Sequence, residues 1–318
     1  MTANAKSAFV TGGFGYLGSH LCKMLIENGW TVSVFDIKKP SHPYYTHFFP
    51  GDVCDKKELN HAFWLAPNID VVFHLAGLID ISESVAFPSK YFKNNTGGTC
   101  FVLDMMEKYK VKNIVYSSTA GLYKSSEEPL TENSILNPYN NPYATSKYCS
   151  EVAIRASNCN HVIFRYFNLA GADESGLIGE DHEPETHLIP RILENLNNVE
   201  IYGNDYDTPD GTCIRDYVHV NDVAKAHLKA AEYLFEGNKS ITMNLGTGKG
   251  QSVLDVVNKV KELVQENIQI KIHSRRSGDP SRLVADISLA QQTIQYQPEN
   301  DLTDIIRTAR IWHKNEKR

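Results

Sequence analysis

A succession of short, almost wholly apolar runs narrows the fold more than any other feature. Ser7-Ala8-Phe9-Val10-Thr11, Thr31-Val32-Ser33-Val34-Phe35-Asp36, Val71-Val72-Phe73-His74-Leu75-Ala76, Asn113-Ile114-Val115-Tyr116-Ser117-Ser118 and Val162-Ile163-Phe164-Arg165-Tyr166-Phe167 place hydrophobic residues at consecutive positions. A strand wetted on one face alternates, whereas a strand covered on both faces does not. Helical patterns separate these runs: Ser19 to Asn28, about Asn94 to Lys110, and a stretch carrying Tyr143 that runs to about Ala156. The order predicts an α/β fold, a Rossmann-type doubly wound parallel sheet with helices on both sides.

The rhythm loosens after Asn168. Gly171 to Pro184 and Asn204 to Thr212 read as long polar loops, and such loops inside a compact domain are often functional. Asn221 to Leu234 reads as an amphipathic helix, Ile241 to Gly246 as a strand and Ser252 to Val264 as a helix. A length of 318 residues exceeds what one small core needs. We therefore expect a sheet domain over 1–168, to which 214–246 returns, and a smaller C-terminal α/β lobe from 169–213 and 247–318.

Charge and cysteine usage exclude several classes of function. A formal net charge of -6 and a pI near 6.1 give no broad affinity for nucleic acid or an anionic membrane. No apolar run approaches a membrane span, and Met1 to Lys6 lacks the apolar core of a signal peptide. Cys22, Cys54, Cys100, Cys149, Cys159 and Cys213 form no close pair, which reads as reduced thiols in a cytoplasmic protein.

Thr11-Gly12-Gly13-Phe14-Gly15-Tyr16-Leu17-Gly18 joins the first strand to the first helix. Glycines permit a tight turn and let backbone approach a pyrophosphate seated on the helix N-terminus. The spacing is Gly-x-x-Gly-x-x-Gly, and a structural tight turn is the plain alternative. Asp36, ending the second strand, stands where a carboxylate accepts from adenosine ribose hydroxyls and repels a 2′-phosphate, which favours NAD over NADP. Asp52 in Gly51-Asp52-Val53 fits an adenine contact about as well as an ordinary turn.

Tyr143 and Lys147 lie four residues apart, hence one turn apart on a helix face. A free tyrosine, with a pKa of about 10, is a poor base. A neighbouring ammonium favours phenolate, so the pair predicts a lowered tyrosine pKa and a base for a substrate hydroxyl. Surface helices carry the same pair by chance, so its meaning depends on the rest of the chain.

That rest resembles the extended short-chain dehydrogenase/reductase family, and within it the group of UDP-galactose (UDP-glucose) 4-epimerases. The resemblance covers nearly the whole chain through TGGFGYLGSH, GDV, FHLAG, SVAFPSKYFKNNTGGT, YSSTAGLY, PYATSK, FRYFNLAGA, IGEDHEPETHLIP, IYGNDYDTPDGTCIRDYVHV, NLGTGKGQSVLDVV and RRSGDPSRLVAD. It implies NAD held by Gly12, Gly15, Tyr16, Leu17, Asp36, Asp52, Val53, Leu75, Ala76, Gly77, Asn94, Tyr143 and Lys147. It implies Tyr143 as acid/base, Lys147 on the nicotinamide ribose, and Thr119 hydrogen-bonding the reacting sugar oxygen. Asn168, His187, Leu188, Tyr202, Arg215, Arg276 and Asp279 fall at UDP-sugar positions. The implied reaction interconverts UDP-glucose and UDP-galactose through a transient 4-keto sugar. A homodimer through a four-helix bundle, built from about Asn94–Lys110 and Tyr143–Ala156, is also implied.

On residue chemistry alone, guanidinium forks suit a diphosphate. The plain alternatives are a salt bridge of Arg215 to Asp216 and a solvated Arg276 beside Arg275. A dehydratase would carry an Asp-Glu pair after Thr119, where this chain has Ala120-Gly121. A uronate epimerase, a decarboxylase and a non-catalytic nucleotide sensor stay open as alternatives. Departures from the family pattern are Ile79 in place of a lysine, Lys124 in place of a glycine, and Leu283 at the position that gates N-acetylated sugars. His182 and His187 match no common zinc spacing, and the expectation is no metal.

Overall fold

The computed structural model describes residues 5–276 and 279–316 of the chain. By its internal contacts the chain forms two compact units. The first comprises Met1–Leu122, Pro138–Arg165 and Ala224–Met243; the second comprises Tyr123–Asn137, Tyr166–Val223 and Asn244–Arg318.

The first unit begins with β1 (Ser7–Thr11), buried at every residue, and α1 (Tyr16–Glu27). Then come β2 (Thr31–Asp36), β3 (His47–Pro50), α2 (Lys56–Leu65) and β4 (Val71–His74). Asp55 caps α2, its side chain accepting from Lys57 and Glu58 N–H. The stretch after β4 holds short helices α3 (Ile81–Ala86) and α4 (Pro88–Tyr91), a π-helical segment Phe92–Gly97 and α5 (Gly98–Lys108). The expected single helix from Asn94 to Lys110 is thus part π-helix and part α-helix. At the start of α5 the helix packs closely on Val53, whose side chain would lie 2.9 Å from a Cβ on Gly98. β5 (Asn113–Thr119), α6 (Pro142–Ala156) and β6 (Asn160–Tyr166) follow. Asn141 caps α6 by accepting from Ala144 N–H, and Pro142 stands at the first helical position.

The second unit contains β7 (Asn168–Ala170), α7 (Leu188–Glu194), β8 (Val199–Tyr202) and β9 (Ile214–His219). α8 (Val220–Phe235) and β10 (Ile241–Leu245) carry the chain back through the first unit. β11 (Gly250–Ser252), α9 (Val253–Val264), β12 (Ile270–His273), β13 (Arg282–Leu283), α10 (Ser288–Ile294) and α11 (Leu302–Glu316) complete the second. A capping box starts α9: Ser252 accepts from Asp255 N–H while Asp255 accepts from Ser252 N–H.

The large sheet has seven strands in the order β10-β6-β5-β4-β1-β2-β3. Its β1–β2, β1–β4, β2–β3 and β4–β5 pairs are parallel, as the unbroken apolar runs require. Phe9, Phe35, Leu59, Phe63, Val72, Met106, Ile114 and Ile163 fill its core. In the second unit β9 is the hub, pairing with β7, β11 and β13, while β8 and β12 form a separate parallel pair. Its core gathers Ile189, Ile201, Tyr217, Val256, Val257, Val260, Ile305 and Ile306. The boundaries differ from those expected. Only Ala224–Met243 of 214–246 belongs to the first unit, because β9 spends its hydrogen bonds on the second unit's strands, and Tyr123–Asn137 clusters with the second unit as well.

Candidate active site

The glycine turn is forced by close backbone. Gly12 has φ +72°, and a Cβ there would lie 2.8 Å from the Ala76 nitrogen. A Cβ on Gly18 would lie 2.0 Å from the Gly12 carbonyl oxygen. These approaches bring Gly12, Leu75 and Ala76 together and open the N-terminus of α1. That end has no side-chain cap and no acidic residue in its first turn, so its N–H groups suit an anion. Asp36 Oδ2 accepts from Phe14 N–H at 2.9 Å and its Oδ1 from Lys38 N–H at 2.8 Å, so the carboxylate also ties strand end to glycine loop. Asp52 Oδ1 closes a turn on Cys54 N–H.

Buried polar atoms complete the fit to a dinucleotide. Asn94 Oδ1, in the π-helical segment, is buried without a hydrogen-bond partner, and its amide reaches Cys54 Sγ beside Val53. Gly77 lies by Lys147, since a Cβ on it would be 3.5 Å from Lys147 Nζ. A nucleotide hydroxyl or amide fits the unsatisfied Asn94 oxygen, because a buried acceptor without a donor is costly. These residues, with Tyr16 and Leu17 opening α1, fit NAD.

Tyr143 and Lys147 project from one face of α6, and Thr119 ends β5. Thr119 Oγ1 accepts from Gly121 N–H at 3.0 Å, which leaves its own proton for another oxygen. That proton favours phenolate at Tyr143, yet burial outweighs it and raises the tyrosine above its ordinary value. The lowered tyrosine pKa expected from Lys147 is therefore corrected. Burial also pushes Lys147 down to about 7, only partly offset by Glu151. Its Nζ lies 4.7 Å from the centre of the Tyr116 ring.

Sequence reasoning missed the support behind these groups. Glu151 lies one turn beyond Lys147 and is fully buried. It accepts from Ser118 Oγ at 2.5 Å, from Arg165 Nε and Nη2 at 3.0 and 2.8 Å, and from Arg155 Nη2 at 2.8 Å. It so joins α6, β5 and β6 immediately behind Thr119 and Lys147. Asn95 accepts from Leu78 N–H and donates to Leu78 O and Ser146 Oγ, fixing the Gly77-Leu78 turn to α6. A sequence signal existed for Glu151: Arg165 interrupts an apolar strand, and a buried guanidinium requires a carboxylate.

In the second unit, Arg215 does not pair with Asp216. Asp216 accepts from Thr247, Gly248 and Ala285 N–H, whereas Arg215 Nη2 donates to Asp279 Oδ1 at 2.7 Å. The Arg276 guanidinium lies 3.9 Å from the centre of the Tyr202 ring, which also stacks on His273. Four residues expected singly from sequence thus fall into two contacts, Arg215 with Asp279 and Arg276 with Tyr202. Leu283 registers with Arg215 in the β13–β9 pairing. Asn168 is exposed at the start of β7. Leu188 opens α7, and His187 before it faces Glu180 and His182. The loop that spacing marked as unsuited to a metal thus gathers Glu180, His182, Glu185 and His187. Ile79, at the position of an expected lysine, is exposed and precedes the Asp80 cap of α3.

Residues 8–246 match the family described as NAD dependent epimerase/dehydratase. The chain is 41% identical to UDP-glucose 4-epimerase of Streptococcus mutans, over 96% of each. It is 38% identical to the crystal structure of UDP-glucose 4-epimerase from Brucella ovis in complex with NAD, with a TM-score of 0.90 over 96% of this chain and 98% of that one. The Bifidobacterium longum UDP-glucose 4-epimerase, in complex with NAD+ and UDP, is 34% identical with a TM-score of 0.91 over 98% and 99%.

Proposed function

The chain belongs to the NAD dependent epimerase/dehydratase family, and from that premise we propose that it interconverts UDP-glucose and UDP-galactose as an isomerase. The observation that carries the reading is the Thr119 hydroxyl, held by Gly121 N–H with its proton directed to Tyr143, one turn from Lys147. This arrangement supports one chemistry above others: removal of a proton from a secondary alcohol. Tyr143 takes the sugar 4-hydroxyl proton and later returns it; Thr119 holds the 4-oxygen in line. When bound, NAD would supply the reversible acceptor for the C4 hydride, so that the sugar would pass through a 4-keto form, with the glycine turn, Asp36 and Lys147 holding the cofactor.

Lys147 holds the nicotinamide ribose in this reading, and its exclusion from water strengthens the interactions it makes. Arg215 and Arg276 anchor the diphosphate, exchanging Asp279 and the Tyr202 ring for phosphate oxygens. Asn168 and Leu188 complete the grip on the nucleotide sugar, while His187 is engaged with Glu180. Incubation of purified holoprotein with UDP-galactose or UDP-glucose, followed by product separation, tests the proposal. Each should yield the other; a preparation with NAD bound that converts neither overturns it. Conversion of the uronates alone would install a uronate epimerase instead, and the N-acetylated pair reports on Leu283.

We also propose a homodimer through α5 and α6 and their flanks. Exposed Phe92 and Val152, at 37% and 48% accessibility, support an apolar contact there. A monomer in light scattering at high concentration would refute it. Six free cysteines support a reducing, cytoplasmic setting, and no described helix is long and apolar enough to cross a membrane.

A further inference from the structure

The loop between β7 and α7 holds a side-chain cluster that the epimerase chemistry does not use. Glu180, His182, Glu185 and His187 each offer one ligand-type atom, and all four atoms lie within 4.8 Å of one another. Glu180 Oε1 faces both imidazoles: it contacts His187 Nδ1 and lies 3.4 Å from His182 Nδ1. Glu185 Oε2 is 3.6 Å from His182 Nδ1. The two rings stand at 88° with centroids 5.3 Å apart, so they converge on the carboxylates without stacking on each other.

The surroundings hold these donors in place. Glu185 Oε1 accepts from Thr186 and His187 N–H, both at 2.7 Å, which leaves Oε2 turned to the cluster. Trp312 Nε1 donates to the Glu180 carbonyl at 2.9 Å, and a Cβ on Gly179 would lie 2.4 Å from the Trp312 ring. The loop is therefore pressed onto α11. The Glu180 and Glu185 side chains are only 4% and 5% exposed. Two nearly buried carboxylates side by side require positive charge, which the two paired imidazoles supply in the ion-free loop and which a divalent ion on neutral imidazoles would supply in their place.

We propose that Glu180, His182, Glu185 and His187 bind a divalent transition-metal ion, zinc by donor type, as a structural clamp on this loop. Two imidazoles and two carboxylates form a closed four-donor set, which leaves no position for substrate and makes the role structural. Donors about 2.1 Å from a tetrahedral zinc are roughly 3.4 Å apart, so the widest pair, within 4.8 Å, would close by a little over 1 Å on binding while the Glu180–His187 contact opens to admit the ion. His182, 23% exposed, gives the ion its way in. The site does not depend on the epimerase reading. It was hidden from spacing because its donors alternate acid and imidazole instead of repeating a paired motif.

The test strips the untagged holoprotein with chelator and titrates it with zinc chloride by calorimetry, with elemental analysis of the protein as first purified. The wild type should take up one equivalent. His182→Ala and Glu185→Gln should each weaken binding by at least roughly tenfold. Cobalt should give the visible absorption of a tetrahedral site in the wild type and lose it in both variants. No uptake by the wild type, or equal uptake by the variants, overturns the site. Circular dichroism under chelator reports folding separately, and Glu185→Gln, which keeps shape, carries the test if His182→Ala fails to fold.

Discussion

The proton-transfer face of α6 and the arginine-bearing segments of the second unit handle charge in opposite ways. On α6, Lys147 and Glu151 are buried and locked into neighbours on regular elements, Glu151 by four hydrogen bonds from three side chains. In the second unit, Arg215 rests on Asp279, whose side chain is 30% exposed, and Arg276 on the Tyr202 ring. The contrast suits the roles proposed for the two sets of residues. A group that moves a proton needs a fixed position and a tuned environment. A group that captures a diphosphate needs a charge that can change partners without leaving a buried orphan.

Breaking the first side should have the largest effect. Tyr143→Phe should lower kcat by about a hundred- to ten-thousand-fold with NAD still retained, read by turnover and bound-cofactor absorbance. Glu151→Gln should cost about 3–5 kcal/mol of stability in denaturant titration, because it strips buried Arg165 of its counter-charge. Burial alone would raise the Glu151 carboxyl; Arg165, Ser118 and Arg155 more than offset this and hold it below its ordinary 4.5. Its contribution is therefore full above that pH and lost as pH falls through the lower folded value, a loss that the variant should not show.

The second side should yield more gently. Arg215→Met should weaken UDP binding by roughly ten- to a hundredfold in calorimetry, the worth of a charge-assisted hydrogen bond, while leaving folding intact. The smallest effect sharpens the comparison instead of breaking it. Burial holds Tyr143 above its ordinary value and Thr119 draws it down. Single-turnover rate should thus rise with pH, and Thr119→Val should move that rise to higher pH. An unmoved profile would remove Thr119 from the tuning of Tyr143.

The large sheet was legible because burial on both faces writes itself as unbroken apolar runs; α6 was placed only as a stretch around Tyr143, and the Asn141 cap and Pro142 that fix its start went unused. Gly12, Asp36 and the Tyr143–Lys147 pair were legible because each satisfies a local geometric need. What stayed hidden depended on distant partners. The β8–β12 pair joins segments about seventy residues apart, as the Val199–Ile270 register shows. Glu151 reads as an ordinary helix glutamate until Arg165 and Ser118 converge on it. The direction of the Tyr143 shift was misread for the same reason: adjacency of a lysine is visible in sequence, whereas desolvation of both groups is not.

The π-helical segment Phe92–Gly97 carries a consequence of a different kind. A π turn is an α-helix with one residue too many for its phase. Removing that residue would restore ordinary winding but swing everything before it by about 100° around the axis relative to α5. Asn94 and Asn95 would leave Cys54 and the Gly77-Leu78 turn together. The phase of the helix therefore fixes the length of this stretch: a one-residue deletion would displace both asparagines at once, whereas a substitution acts at one position only.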